Sequence, residues 1–247
     1  MNSTTTKFAL GMTVLFASLA ALSPTASATS LILDLGPYQS GVGGEFNAYS
    51  ASLNPVAMGY SPLTMANVGH GMGFETFCME YNEHFTPGGT YNYAISQAAI
   101  HGGVPGGSDP ISLGTAWLYL NFAEGTLTGY FTGNRTTNAG QLQNTIWWLE
   151  GEQGDPGNGN SFRNLVLAQF GGSAANAMAD NNGFYGVAVL NLYYLDGTLA
   201  QDQLVLDVPD SGTTAVLLGV GLLGLFLFHR KVTQRHRYAA AYSRRKS

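Results

Sequence analysis

Phe74-Glu75-Thr76-Phe77-Cys78-Met79-Glu80-Tyr81 is the stretch on which the fold turns. Read as a strand, its side chains alternate between two faces: Phe74, Thr76, Cys78 and Glu80 on one, Glu75, Phe77, Met79 and Tyr81 on the other. Upstream, Leu31-Ile32-Leu33-Asp34-Leu35 reads as a second strand, followed to about residue 67 by glycine-rich and polar text that favours strands and loops.

Downstream the period changes. Asp109-Pro110 reads as a cap with a proline in the first turn, opening a helix over 111–123 that stops at Gly125. A second helix is expected over 138–150, with Leu142, Ile146 and Leu149 on one side, and a third from Asn160 or Ser161 through Phe170 to Gly171-Gly172. Apolar β-compatible text returns over 186–194 and 203–208, separated by the hairpin signal Asp196-Gly197. The stretch 201–210 reads as at most a short linker. Strands, then helices, then strands predict an α+β domain: a β-rich, sandwich- or barrel-like core with a helical insertion of two to three short helices.

The two ends have their own character. Residues 1–28 carry one cation, Lys7, an apolar run over 8–22 and Ala26-Ser27-Ala28, the pattern of a signal peptide cut by signal peptidase after Ala28. At the other end Val208-Pro209-Asp210-Ser211-Gly212 precedes an apolar run over 213–228 and then seven of the chain's ten Lys and Arg residues. Sixteen residues of helix span about 24 Å, enough for a short single transmembrane helix, with the basic tail in the cytoplasm and 29–207 outside it. This combination resembles the PEP-CTERM sorting signals in their VPDSG variant. The resemblance implies an exosortase that removes the tail, a transient membrane anchor, and delivery to the cell envelope, outer surface or exopolysaccharide matrix.

Between 29 and 207 the only Lys or Arg residues are Arg135 and Arg163, against fourteen Asp and Glu, a formal charge of −12. So acidic a domain is repelled by nucleic acid and anionic lipid, leaving neutral glycans, cations and amine-bearing surfaces as partners.

Cys78 is the sole cysteine, so no internal disulfide can form; a buried inert thiol, an intermolecular disulfide and a reactive group remain. Phe77-Cys78-Met79-Glu80, with Leu142-Gln143-Asn144-Thr145-Ile146-Trp147, resembles the paired signatures of bacterial surface thioester domains. In those, an aromatic-Cys-x-acid strand and a Thr-Gln-x-Ala-Ile-Trp helix supply a Cys-Gln crosslink; here Leu142 replaces the Thr and Thr145 the Ala. The resemblance implies a thioester between Cys78 and Gln143 in a setting of Phe77, Glu80, His84, Trp147 and Trp148. The domain would then be a non-enzymatic covalent adhesin needing no cofactor. The alternative is a passive structural or glycan-associated matrix or biofilm protein with a buried thiol. A third reading is a cysteine hydrolase using His84 or His101.

Other candidates are weaker in kind. Asp155, Asn158 and Asn160, with Glu152, offer oxygen ligands for Ca²⁺, though the same run of Gly, Pro and Asn reads as a polar turn. His70, His84 and His101 show no zinc-site spacing. Tyr91 and Tyr93 read as core and strand packing, with exposed rings that stack on sugars as the alternative.

Overall fold

The computed structural model describes residues 29–41, 43–66, 69–100, 107–207, 219, 221 and 222. The expected signal peptide (1–28), the sorting motif from Val208 to Gly212, His101, and all but three residues of the expected span over 213–228 lie outside the described residues. Among the described residues, no helix is long and apolar enough to cross a membrane.

In chain order the elements are β1 (Ser30–Leu35), β2 (Phe46–Tyr49), α1 (Pro55–Met58), β3 (Met65–Ala66), β4 (Gly73–Thr76), β5 (Gly89–Ser96), β6 (Ala98–Ala99), β7 (Asp109–Pro110), α2 (Leu113–Ala123), α3 (Arg135–Leu149), α4 (Ser161–Gln169), α5 (Ala174–Ala177), β8 (Val187–Tyr193) and β9 (Leu199–Leu206). Seven strands form one antiparallel sheet in the order β3-β4-β2-β1-β5-β8-β9.

The sheet curls back on itself. β4 parts from β2 at Thr76, and the chain then changes partner: Met79 N–H donates to Asp202 O (3.1 Å), Leu204 N–H donates to Phe77 O (3.0 Å), and Cys78 faces Gln203. Because β9 is the far edge of the sheet, this seam joins β4-β2-β1-β5-β8-β9 into a ring; the β-rich core is as expected, and of the sandwich- and barrel-like forms left open by the sequence the ring corresponds to the second. The strand expected over 74–81 is therefore two things, a ladder to Thr76 and a seam beyond it. Residues from Phe74 through Glu80 are buried on both faces, and Tyr81 is exposed.

Leu31 and Leu33 point into the core while their neighbours Ile32 and Asp34 stay half-exposed, the alternation of a strand with one buried face. β8 and β9 are instead buried nearly throughout, since α2 covers them from outside. Their hairpin closes at Asp196-Gly197, where Asp196 Oδ1 accepts Thr198 N–H (3.0 Å) and Gly197 takes a φ of 87°. The stretch 201–210, read as a linker, is barrel strand as far as Leu206.

The helical insertion is α2, α3, α4 and the one-turn α5, one helix more than the two to three expected. α2 begins later than expected: Asp109-Pro110 pairs with Ala98 and Ala99 as β7, and Ser112 is the cap, its hydroxyl accepting from Thr115 N–H. Two-residue edge pairing tolerates a proline that has no N–H to give. α3 starts three residues before the expected 138, capped by Asn134, and α4 is capped by Asn160. Tyr91 is buried in β5 with its hydroxyl donating to Thr86 O (3.0 Å), so it is a packing residue rather than an exposed ring.

Candidate functional site

α3 is held on the barrel at two levels. At its first turn the Arg135 guanidinium donates to Glu45 Oε1 (2.8 Å) and Oε2 (3.0 Å) and also pairs with Glu75, while Tyr130 O–H donates to Glu45. Tyr38 lies over the same guanidinium at 4.3 Å. Both carboxylates are buried. Burial pushes Glu75 up to about 8, with the Glu45 charge acting the same way and Arg135 opposing it.

Two turns on, Gln143 reaches the same two chain segments. Its Oε1 accepts Gly44 N–H (3.0 Å), Cys78 N–H (3.2 Å) and the Cys78 thiol (3.2 Å), and its Nε2 donates to Cys78 O (2.8 Å). The carboxamide carbon is one C=O bond from that oxygen, so it lies within roughly 4.4 Å of the sulfur. Gln143 is 1% and Cys78 0% exposed. Two backbone amides aimed at a carbonyl oxygen, with a thiol beside its carbon, form the geometry of an oxyanion hole with a nucleophile in place.

The hole is built by a glycine turn absent from the sequence expectations. Gly43 N–H donates to Ser40 O (3.0 Å), which turns the chain so that Gly44 faces Gln143. A Cβ on Gly43 would lie 2.5 Å from Gln143 Cγ, and one on Gly140 of α3 would lie 2.7 Å from Ser40 Oγ. Only glycine lets turn and helix approach this closely. An open cleft of about 240 Å³ between Ser40, Gly43, Gly140, Asn144 and Trp147 leads to Gln143. A larger concavity, about 880 Å³ beside Tyr49, His70 and Met72, contains neither Cys78 nor Gln143; local chemistry favours the smaller one.

The remaining expected residues divide. Phe77 is fully buried, edge-on to Phe122 at 5.0 Å. Trp147 packs edge-on against Tyr81 at 5.0 Å; its indole N–H finds no acceptor at ordinary distance, yet lies close enough to the Cys78 sulfur to favour its thiolate. Burial still dominates and holds the Cys78 thiol well above its usual range, with the Glu80 charge adding to it. Trp148 lies under Arg163, 5.7 Å from ring centroid to guanidinium. His84 is exposed, and among the described residues no imidazole hydrogen-bonds to Cys78.

Glu80 is buried, with Oε2 accepting Asp202 N–H (3.1 Å). Burial, then the charges of Asp202 and Glu83, push it up to about 10, and burial pushes Asp202 up to about 7. Each holds a proton more tightly than a free carboxyl does.

The Ca²⁺ candidates converge on a guanidinium. Arg163 donates to Asp155 Oδ1 (2.9 Å) and Oδ2 (2.6 Å) and to Asn158 Oδ1 (2.8 Å), while Asn160 Oδ1 caps α4 and accepts from Thr145. Glu152 accepts Tyr81 N–H (3.1 Å). The polar-turn reading describes this loop, and among the described residues no group of three or more His, Cys, Asp or Glu side chains is disposed to hold a metal.

Comparison with known proteins adds one match. Residues 207–232 match the VPDSG-CTERM motif. No curated protein and no solved structure matches the chain. The match supports a PEP-CTERM-like sorting signal at the C-terminal end, and with it an exported, cell-envelope-associated protein that has an exosortase as its processing partner.

Proposed function

We propose that the domain over 29–207 stores an acyl electrophile, an internal thioester between Cys78 and Gln143, with which the exported protein attaches covalently to amine-bearing partners at the cell surface or in its matrix. The observation that carries this reading is the seat of Gln143 Oε1, which accepts the Gly44 and Cys78 backbone amides and the Cys78 thiol together.

The chemistry follows from that seat. The sulfur adds to the carboxamide carbon, the carbonyl electrons move to Oε1, and collapse expels Nε2 as ammonia carrying the proton that left the sulfur. Folding supplies the proximity that makes this acyl transfer intramolecular. Burial of both groups under Phe77 and Trp147 slows the competing hydrolysis. An amine entering by the Ser40–Gly140 cleft would open the thioester, become joined to Gln143 as an amide and return the free thiol.

Intact mass tests the reading. The full-length chain is expected to weigh about 17 Da less than its sequence, after allowance for processing at either end, and methylamine is expected to add about 31 Da to that form. Cys78→Ala is expected to abolish both changes. A full sequence mass with a titratable thiol would leave the domain as a passive matrix component.

A further inference from the structure

The seam that closes the barrel carries a second polar set beside Cys78. The bonds from Met79 N–H to Asp202 O and from Leu204 N–H to Phe77 O flank the facing residues Cys78 and Gln203. That makes them a non-hydrogen-bonded antiparallel pair, the kind whose side chains stand closest, on one face, with Cα atoms about 4.5 Å apart. Past a bend at Met79, Glu80 lies beside Gln201, whose Nε2 donates to Glu80 O (3.0 Å), and its own Oε2 accepts Asp202 N–H (3.1 Å). All four are at least nine-tenths buried. Buried polar atoms are nearly always paired, yet three on residues flanking the sulfur have no hydrogen-bond partner: Gln203 Oε1, Glu80 Oε1 and Trp147 Nε1.

We propose that Glu80 and Gln203 serve the acyl chemistry of Cys78 and Gln143. Glu80 carries the proton between sulfur and amide nitrogen, and Gln203 Oε1 accepts an N–H of the departing ammonia and of the incoming amine. The inference rests on the thioester reading and names its working parts. In formation, Glu80 gives its carboxyl proton to Nε2 as the C–N bond breaks and takes the thiol proton as the S–C bond forms, so it ends as it began. In opening, the attacking amine loses a proton to Glu80 and Glu80 returns one to the leaving sulfur.

Among the described residues no imidazole hydrogen-bonds to Cys78 or Gln143 to compete for this part. The groups facing Glu80 are Asp202 on β9, Glu83 in the loop that follows and Cys78 on its own segment, with Glu152 beyond α3 bonded to the neighbouring Tyr81 N–H. Arg135 and Arg163 pair elsewhere. Burial, and after it the acidic neighbours Asp202 and Glu83, keep the Glu80 proton in place at neutral pH, where a proton donor is needed. Gln203 suits ammonia because it is an uncharged acceptor: it orients the nitrogen without trapping it as ammonium.

The test is a time course on the full-length chain made by cell-free synthesis, followed by intact mass as ammonia is lost, then by opening with hydroxylamine, which stays largely unprotonated from pH 7 to 11. Glu80→Gln is expected to slow both steps about a hundred-fold and Glu80→Asp to recover part of that loss. Gln203→Met, similar in volume but without the amide oxygen, is expected to slow opening about tenfold. Wild-type opening should fall as pH rises through about 10, as Glu80 gives up its proton. Should a variant fail to fold, that wild-type profile decides the role of Glu80, and Gln203→Asn, which withdraws the oxygen, decides that of Gln203. Wild-type rates in Glu80→Gln and Gln203→Met, or a flat profile, overturn the relay while the thioester stands. A wild-type chain of full mass overturns the thioester itself.

Discussion

Arg135 and Gln143 stand about 12 Å apart along α3 and reach the same two segments of the barrel, yet they meet opposite kinds of surroundings. Around Arg135 every charge has a partner: Glu45, Glu75 and Tyr130 close on the guanidinium, and Tyr38 covers it. Around Gln143 the carbonyl oxygen is over-supplied with donors while Glu80, Gln203 and Trp147 each keep an unmatched polar atom. A buried network that is complete fixes geometry; one left incomplete calls for an explanation, which the proposed acyl chemistry would supply. The first supports the second, because the ion cluster sets how α3 lies on β2 and β4, and Gln143 follows.

The largest effect should come from breaking the complete cluster. Arg135→Met leaves two buried carboxyls without their cation, with an expected loss of about 3–5 kcal/mol in urea unfolding. The same substitution should remove the mass deficit by letting α3 shift. Adding Glu45→Gln and Glu75→Gln should return most of the stability, and return of the deficit with it would show that the clamp needs shape rather than charge.

pH moves both clusters together. A carboxyl whose folded pKa is raised binds its proton more tightly folded than unfolded, so its contribution is whole below the unfolded value and is lost as pH rises through the folded one. The midpoint of urea unfolding should therefore be highest near pH 4–5. It should fall as Asp202 passes about 7, Glu75 about 8 and Glu80 about 10. Glu80→Gln should flatten the alkaline part of that curve. Stability rising steadily from pH 5 to 9 would contradict the burial of these groups.

A smaller change separates the reactive cluster from its frame. Gly43→Ala sets a methyl against Gln143 Cγ, costing roughly 1–3 kcal/mol by overpacking. It should abolish the mass deficit while the Arg135 cluster holds. The smallest effect is expected at the exposed pair Arg163 and Asp155: Asp155→Asn should leave the unfolding midpoint nearly where it was, and added Ca²⁺ should not raise it.

The sequence made part of this legible. Cys78 and Gln143 stood in recognisable local text, one in a strand and one in a helix, and local text is what a single chain exposes. The glycine turn and Gln203 did not show because their meaning comes from partners: Gly44 is 99 residues from Gln143, and Gln203 meets Cys78 only through the seam. The run Gln201-Asp202-Gln203 inside an otherwise apolar strand was the available signal, three polar residues where a barrel wall should be greasy. β2 and β5 were obscured in the same way, their Asn, Gly and Thr content hiding strands that the neighbouring register holds in place. Ser112 displaced Asp109 as the cap of α2 because Asp109-Pro110 found a ladder partner in Ala98 and Ala99.

Both cations of 29–207 are arginines, each already engaged by carboxylates. A guanidinium stays protonated and does not attack acyl groups. The three lysines of the chain, Lys7, Lys231 and Lys246, all lie outside this domain. Apart from its amino terminus, the domain thus offers no amine of its own to the thioester proposed above. Copies crowded side by side on a surface would not staple themselves to one another, and each charge would be kept for a foreign target.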